Sequence, residues 1–328
     1  MHRIVNPTPF PAALDIFPDR RGVDTLHVTL KATLAIGPAL TVHPEQRPIL
    51  VADEFSGEPA TSALRYPGER HLARPGTDII LLGSAHAPRG KPVSSLDVSL
   101  GVGPVRKVIR VFGDRRWLRG PVPASAPEPF VIQPLVHTRA FGGPAVPTNP
   151  VGVGHRGDRP HVIGALLPNL EDPRHAFLDV GNAASPSCFA AIAPSWSPRR
   201  DLAGTYDEAW RSRRAPYLPV DFDPRFLHAA PPDQIAATAL RGGESVELLH
   251  LAPGPLRFTL PTFTWTLRAR LGADTLTLVP ALETVLIEPD AGRLCLLWRA
   301  TTSIDRRALD LDELSIDLDP ASLTTAAT

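Results

Sequence analysis

Asp221-Phe-Asp223 places two carboxylates at i and i+2. In an extended segment such a pair shares a face and can serve as the acid and base of glycoside hydrolysis. Pro219, Pro224 and Arg225 surround it, so the competing reading is a pair of turn aspartates that accept backbone N–H groups or bind arginine. Glu54 and Glu58, bracketing Phe55-Ser-Gly57, pose the same choice. Gly152-Val-Gly154-His-Arg-Gly157 has the glycine spacing of a dinucleotide loop, with Glu171 and Asp172 where a ribose-binding acid would stand. That chemistry needs a strand before the glycines and a helix N-terminus after them. Asn149-Pro150 precedes the glycines and the β-like His161–Leu167 follows, so a plain glycine loop is expected, with no cofactor. His155, Asp158 and His161 stand at i, i+3, i+6 in this broken loop, which fixes no common face for a metal. Ser195 lacks the glycines of a nucleophile elbow. Cys188 and Cys295 are too few for a disulfide framework or a cysteine-rich zinc site, and Cys188 is expected to act as a small buried hydrophobe. No catalytic, cofactor or metal assignment survives.

Recognition is the better-supported chemistry. Trp196, Tyr206, Trp210 and Tyr217 fall within 22 residues, among several arginines and prolines. Aromatic and arginine side chains on short rigid elements are what interface hot spots share. Thr205-Tyr-Asp-Glu208 fits a capping box, and the helix it opens should end by about Arg214, because Ala215 precedes a proline. Tyr206 and Trp210 share a helix face that is expected to pack inward, so Thr205, Tyr206, Glu208 and Trp210 are read as structural. Arg211 and Arg214, offset from that face, join Trp196, Asp221, Asp223 and Arg225 as candidate partner contacts. A second short helix is expected from Pro232 to Gly242-Gly243, where left-handed caps are available.

The elements that must hold these residues are mostly strands. Average usage would give roughly 16 prolines, whereas this chain has 38, spread throughout. Long helices are thereby excluded. Leu26, Val28, Leu30, Ala32, Leu34 and Ile36 alternate with His27, Thr29, Lys31 and Thr33, which predicts a strand with one core face and one solvent face. Leu96–Val102 repeats the pattern. Phe263–Leu271, a turn at Gly272–Asp274, and Leu276–Leu278 read as a hairpin, and Leu294–Ala300 as another strand. The solid apolar runs Ile79–Leu82 and Val285–Ile287 read as strands buried on both faces. The expected fold is mainly β, with β-sandwich or barrel-like units and a short helical insertion in the central segment. Residues 1–135 and 244–328 are the β-rich ends, and 136–243 the loop-rich centre, within one continuous domain.

Composition sets the outer limits. The 34 basic and 34 acidic residues cancel, which removes the electrostatic footprint of a nucleic-acid binder. No run of 18 apolar residues exists to span a bilayer. Pro7, Pro9 and Pro11 interrupt any apolar signal core, so a cytoplasmic location with reduced thiols is expected.

Several stretches together resemble one bacterial family. They include Glu54-Phe-Ser-Gly-Glu-Pro59, Arg74-Pro-Gly-Thr-Asp78, Gly83-Ser-Ala-His-Ala-Pro88, Arg110-Val-Phe-Gly-Asp-Arg115 and Arg139-Ala-Phe-Gly-Gly143. The most specific run joins Ala193-Pro-Ser-Trp-Ser-Pro-Arg199, Ala203-Gly-Thr-Tyr-Asp207 and Arg213-Arg-Ala-Pro216. It continues through Leu218-Pro-Val-Asp-Phe-Asp-Pro-Arg-Phe226 to Gly242-Gly-Glu244. In order and over nearly the whole chain, these resemble the domain-of-unknown-function family encoded beside type VI secretion spike genes. The resemblance implies a non-enzymatic adaptor or chaperone that loads a toxic effector onto the valine–glycine repeat spike or its PAAR tip. It carries over no catalytic residues. The alternatives are a hydrolase of glycans or lipids using Asp221, Asp223 or Glu54, and a structural component of the spike.

Overall fold

A computed structural model describes the chain except for residues 1–2, 120–123, 155–162, 178–183 and 323–328. Its longer strands are β1 (Ala12–Pro18), β2 (Asp24–Ala35), β3 (Thr77–Leu81), β4 (Ser95–Val102), β5 (Val105–Phe112) and β6 (Ser245–Leu249). They continue with β7 (Leu256–Thr259), β8 (Trp265–Leu271), β9 (Asp274–Leu278), β10 (Ala281–Glu288), β11 (Arg293–Ser303) and β12 (Leu311–Leu318). The expected strands form where alternation placed them, including the β8–β9 hairpin, and the architecture is mainly β with no closed barrel among the described residues.

The central sheet runs in the order Ile235–Ala236, β3, β10, β11, β2, β1, with Thr41–Val42 added on β2. Within this sheet the one parallel pair is β3 with β10; β11 lies antiparallel to β2 over eleven residue pairs, with Trp298 opposite Leu30 and Leu296 opposite Ala32. A five-stranded sheet (Leu170–Glu171, β5, β4, β6, β7) and a four-stranded sheet (Arg3–Val5, β12, β8, β9) complete the framework. One apolar cluster joins all three. Leu26, Val28, Leu30, Leu294 and Leu296 of the central sheet belong to it with Val98, Leu100 and Ile109, and with Leu267 and Leu314. Burial without directional bonding is the dominant stabilising term for such a cluster. Phe263 bridges the sheets, its ring 5.6 Å from Phe10 and 4.9 Å from Trp298.

The other face of the central sheet departs from expectation. His27, Thr29, Lys31 and Thr33 alternate as read, yet all four are buried rather than solvent-facing. Chain from residues 46–74 and 189–234 lies over them. A smaller apolar cluster, including Tyr66, Ile80, Ile192, Trp196 and Leu286, forms beneath that cover.

Two helix expectations are corrected. α1 spans Glu208–Arg213 and is capped by Asp207, whose carboxylate accepts from Trp210 N at 2.8 Å. Thr205 is not the cap, because Asp221 takes its backbone N–H (3.0 Å) and its hydroxyl (2.7 Å). Pro232–Gln234 is a single 3-10 turn that runs directly into the strand Ile235–Ala236. Pairing of Ala236 with Thr77 and burial of the Gln234 side chain against Ile79 O and Phe189 O override the local helical signal there.

Candidate functional site

A dense set of buried titratable side chains lies on the covered polar face. Asp78, on β3, is fully buried. Its carboxylate accepts from His228 Nδ1 (2.6 Å), Ala229 N (2.7 Å) and Ala230 N (3.1 Å), and pairs with Arg74 at 3.1 Å. Burial alone would raise its pKa, but Arg74, His228 and the Ala229 N–H outweigh that and hold it below the usual aspartate value. Gly76 lets this turn form: at φ +76 its Cα faces Ala236 O, and a Cβ there would sit 2.2 Å from that oxygen.

Arg74 distributes its donors widely. Nη1 donates to Leu227 O (2.8 Å) and His71 Nε2 (3.0 Å), and Nη2 to Thr284 Oγ1 (2.8 Å). His71 Nδ1 donates to Leu72 O at 2.7 Å, leaving Nε2 as the acceptor, so the ring is neutral. Burial, then the neighbouring Arg74 cation, push its pKa down to about 3. Glu283 sits at a bulge in β10 and takes Arg299 at 2.8 Å; Arg299 also donates to Thr29 Oγ1 and Glu69 O. Lys31 pairs with Glu69 at 2.6 Å and donates to Pro48 O. Glu288 gathers Tyr66, Arg47 and Arg293 at the end of β10.

Around Lys31, Glu69, His71 and Arg74 the network leaves almost no open space, whereas Tyr66, Glu288 and Arg293 at its far end also border a pocket of about 350 Å³. The cavity among Lys31, Glu69, His71, Arg74 and Cys295 measures about 20 Å³. That is room for roughly one water molecule. The network therefore does structural work: it fastens the 46–74 and 189–234 segments to the sheet through groups that cannot be left unpaired. The sequence reading missed it. The signal was a lone charge inside each apolar strand: Lys31, Asp78, Glu283 and Arg299.

The carboxylates singled out from sequence are dispersed. Asp221 serves Thr205, and Asp223 accepts from Arg225 N (2.9 Å) and Nη2 (2.6 Å) while capping the turn Pro224–Leu227. These bonds lower both pKa values, backbone and side-chain bonds from Thr205 for Asp221 and those from Arg225 for Asp223. Glu54 and Glu58 are exposed. Glu171 is buried against Arg115 and accepts from Phe177 N, while Asp172 binds Arg174. Gly152 and Gly154 pack backbone against backbone: Val153–Gly154 pairs with Phe141–Gly142, and a Cβ on Gly152 would sit 2.7 Å from Ala140 O. His155, Gly157, Asp158 and His161 lie outside the described residues. Among the described residues no three His, Cys, Asp or Glu side chains are grouped to hold a metal. Both cysteines are buried free thiols, and burial pushes the Cys188 pKa up to about 11, which makes it a poor nucleophile.

The Trp196–Arg225 region divides in two. Trp196, read as a candidate partner contact, is 3% exposed and packs edge-on to His137 (5.1 Å between rings), so the structure places it in the core. α1 has no buried residue. Tyr206, expected to face inward, is 51% exposed. It meets the half-buried Trp210 ring edge-on at 4.7 Å, and Trp210 Nε1 donates to Tyr217 O at 2.8 Å. The reason is length: six residues give less than two turns, and the aromatic pair closes a local loop instead of reaching the core. Tyr217 and Val220 are exposed beside it. Arg211 is exposed and pairs with Glu208 at 2.9 Å. Arg214 is committed to Leu218 O and Arg20 O, which tie the segment to the β1–β2 turn.

A model of a family described as an uncharacterized protein conserved in bacteria, DUF2169, matches residues 21–299. No curated protein and no solved structure matches the chain.

Proposed function

The chain belongs to the DUF2169 family of bacterial proteins, and from that premise we propose that it is a non-enzymatic adaptor. It captures a type VI secretion effector in the cytoplasm and presents it to the valine–glycine repeat spike or PAAR tip. The sequence resemblance supplies the secretion context. The observation that supports recognition over catalysis is the surface built by Tyr206, Trp210, Tyr217 and Val220. These side chains are exposed or half-exposed, yet the backbone beneath them is braced by Asp207, Arg214 and Asp221. A pre-ordered aromatic surface pays little entropy on binding. Asp221 and Asp223, the paired carboxylates of the hydrolase reading, serve meanwhile as turn braces.

The test is capture of proteins from the native bacterium, identified by mass spectrometry, using wild type and a Tyr206→Ala/Trp210→Ala variant. Loss of one co-captured effector by at least tenfold, with unchanged β-sheet circular dichroism, is the expected result. Hydrolysis of polysaccharide or lipid that disappears in Asp221→Asn or Asp223→Asn would replace this reading with the enzymatic one.

A further inference from the structure

The central sheet ends at β1, and the outer side of that strand is unpaired. Lys31 N donates to Pro11 O at 3.1 Å, and the β1–β2 register runs from Ala12–Leu30 to Pro18–Asp24 without a shift. Hydrogen-bonded pairs alternate along an antiparallel ladder. Ala13, Asp15 and Phe17 therefore bond to β2, while Ala12, Leu14 and Ile16 turn their N–H and C=O groups away from it. Among the described residues none of these outward groups meets a partner. Edges of this kind are commonly guarded by shortness, a free charge, a proline or a bulge. Along Ala12–Phe17 β1 has none of these. At seven residues it is the longest edge strand of the three sheets, and the edge strands β7 and β9 carry Arg257 and Asp274. The one charge in β1, Asp15, is 8% exposed and bound by Arg70, whose Nε lies 2.9 Å away. The other residues of the strand each keep part of their surface open to solvent.

The edge itself defines what fits. It offers donors and acceptors at strand spacing, which a second extended backbone matches and a helix or small molecule does not. Ala12, Leu14 and Ile16 pack against the main apolar cluster, so an added strand with apolar side chains at every second position would extend that cluster. Past Pro18 the chain turns through Asp19–Val23. There Arg20 Nη2 donates to Val220 O at 3.3 Å, and a Cβ on Gly22 would lie 3.5 Å from the Tyr217 ring. The end of the open edge is thus joined to the exposed aromatic surface.

We infer that β1 receives an extended segment of the captured effector as an additional strand, bonded to the backbone of Ala12, Leu14 and Ile16. Residues flanking that segment then lie on the surface of Tyr217 and Val220. That the strand belongs to an effector rests on the adaptor reading. Amide hydrogen exchange tests the edge, followed on wild type alone and on the complex isolated in the capture experiment. In the free chain Leu14 and Ile16 should exchange fast between the slow amides of Ala13 and Asp15. In the complex Leu14 and Ile16 should slow at least about tenfold. Leu14→Pro deletes one outward N–H and no β1–β2 bond, so it should weaken capture about tenfold more than Leu14→Ala. If Leu14→Pro does not fold, the exchange result decides alone. An effector captured with Leu14 and Ile16 still exchanging fast would overturn the added strand, as would equal losses for the two variants. Protection of these amides without effector, rising with protein concentration alongside a dimer in light scattering, would assign the edge to a second copy and overturn the effector as occupant. Wild type that captures no effector sinks the adaptor reading, and this inference with it.

Discussion

The two faces of the central sheet are made by the same strands and obey opposite rules. On one, Leu26, Val28, Leu30, Leu294 and Leu296 meet two further sheets. Their attraction is non-directional, so any apolar side chain of about the right volume serves. On the other, Lys31, Asp78, Glu283 and Arg299 are buried just as deeply, but each requires a particular partner at hydrogen-bond distance. The apolar face makes the fold stable. The polar face decides which irregular segment lies where, and thereby sets the platform from which residues 204–225 project.

The sharpest way to break this contrast is substitution without change of size. Asp78→Asn should cost about 3–5 kcal/mol in urea unfolding, because Arg74 keeps its buried charge and loses its counter-ion. Leu296→Met, on the opposite face, should cost less than about 1.5 kcal/mol, although Leu296→Ala should cost about 2–5 kcal/mol through the cavity it leaves. Equal costs for Asp78→Asn and Leu296→Met would dissolve the distinction between the faces.

Acid separates them next. His71 and His27 have folded pKa values of about 3 and about 4, below the unfolded 6.5. Between pH 6.5 and about 4 the unfolded chain therefore binds protons that the folded chain refuses, and stability falls as the pH falls. Asp78 and Glu283, held below their unfolded values of 3.8 and 4.5, add their losses mainly below about pH 4.5. The urea midpoint should drop between pH 7 and pH 5, and His27→Phe should shrink that drop. A midpoint flat across this range would show that the polar face does not hold its histidines neutral.

The smallest effect is expected at the surface. Arg211→Glu should move the thermal midpoint little, since exposed substitutions usually stay within about 0.5 kcal/mol. Its pair with Glu208 is solvent-exposed at both ends. A large loss of stability would place α1 in the framework and not on the platform.

The strands were legible because their signal is local. Alternation from Leu26 to Ile36 and the Gly272–Asp274 turn each involve neighbours that one can see in the sequence. The candidate surface was half legible. The cluster of aromatics and arginines between Trp196 and Arg225 was found, but the direction each side chain takes was not. Trp196 went to the core, Tyr206 to solvent, and Arg214 to carbonyls of its own chain. Spacing along six residues of helix could not decide this, because no core element reaches that helix.

What the sequence determined by itself was a proline-punctuated set of strands, their hairpins and their apolar core stripe, since burial follows from side-chain type and period two. What only the tertiary structure decided was the fate of the alternate stripe. Whether Lys31 and Thr29 face water or a cover depends on groups far away in the chain. Arg299 reaches Thr29 across 270 positions, and His228 reaches Asp78 across 150. A hydrogen bond carries no trace in the residues next to it of which distant partner will complete it, so that half of the molecule had to be read from the fold.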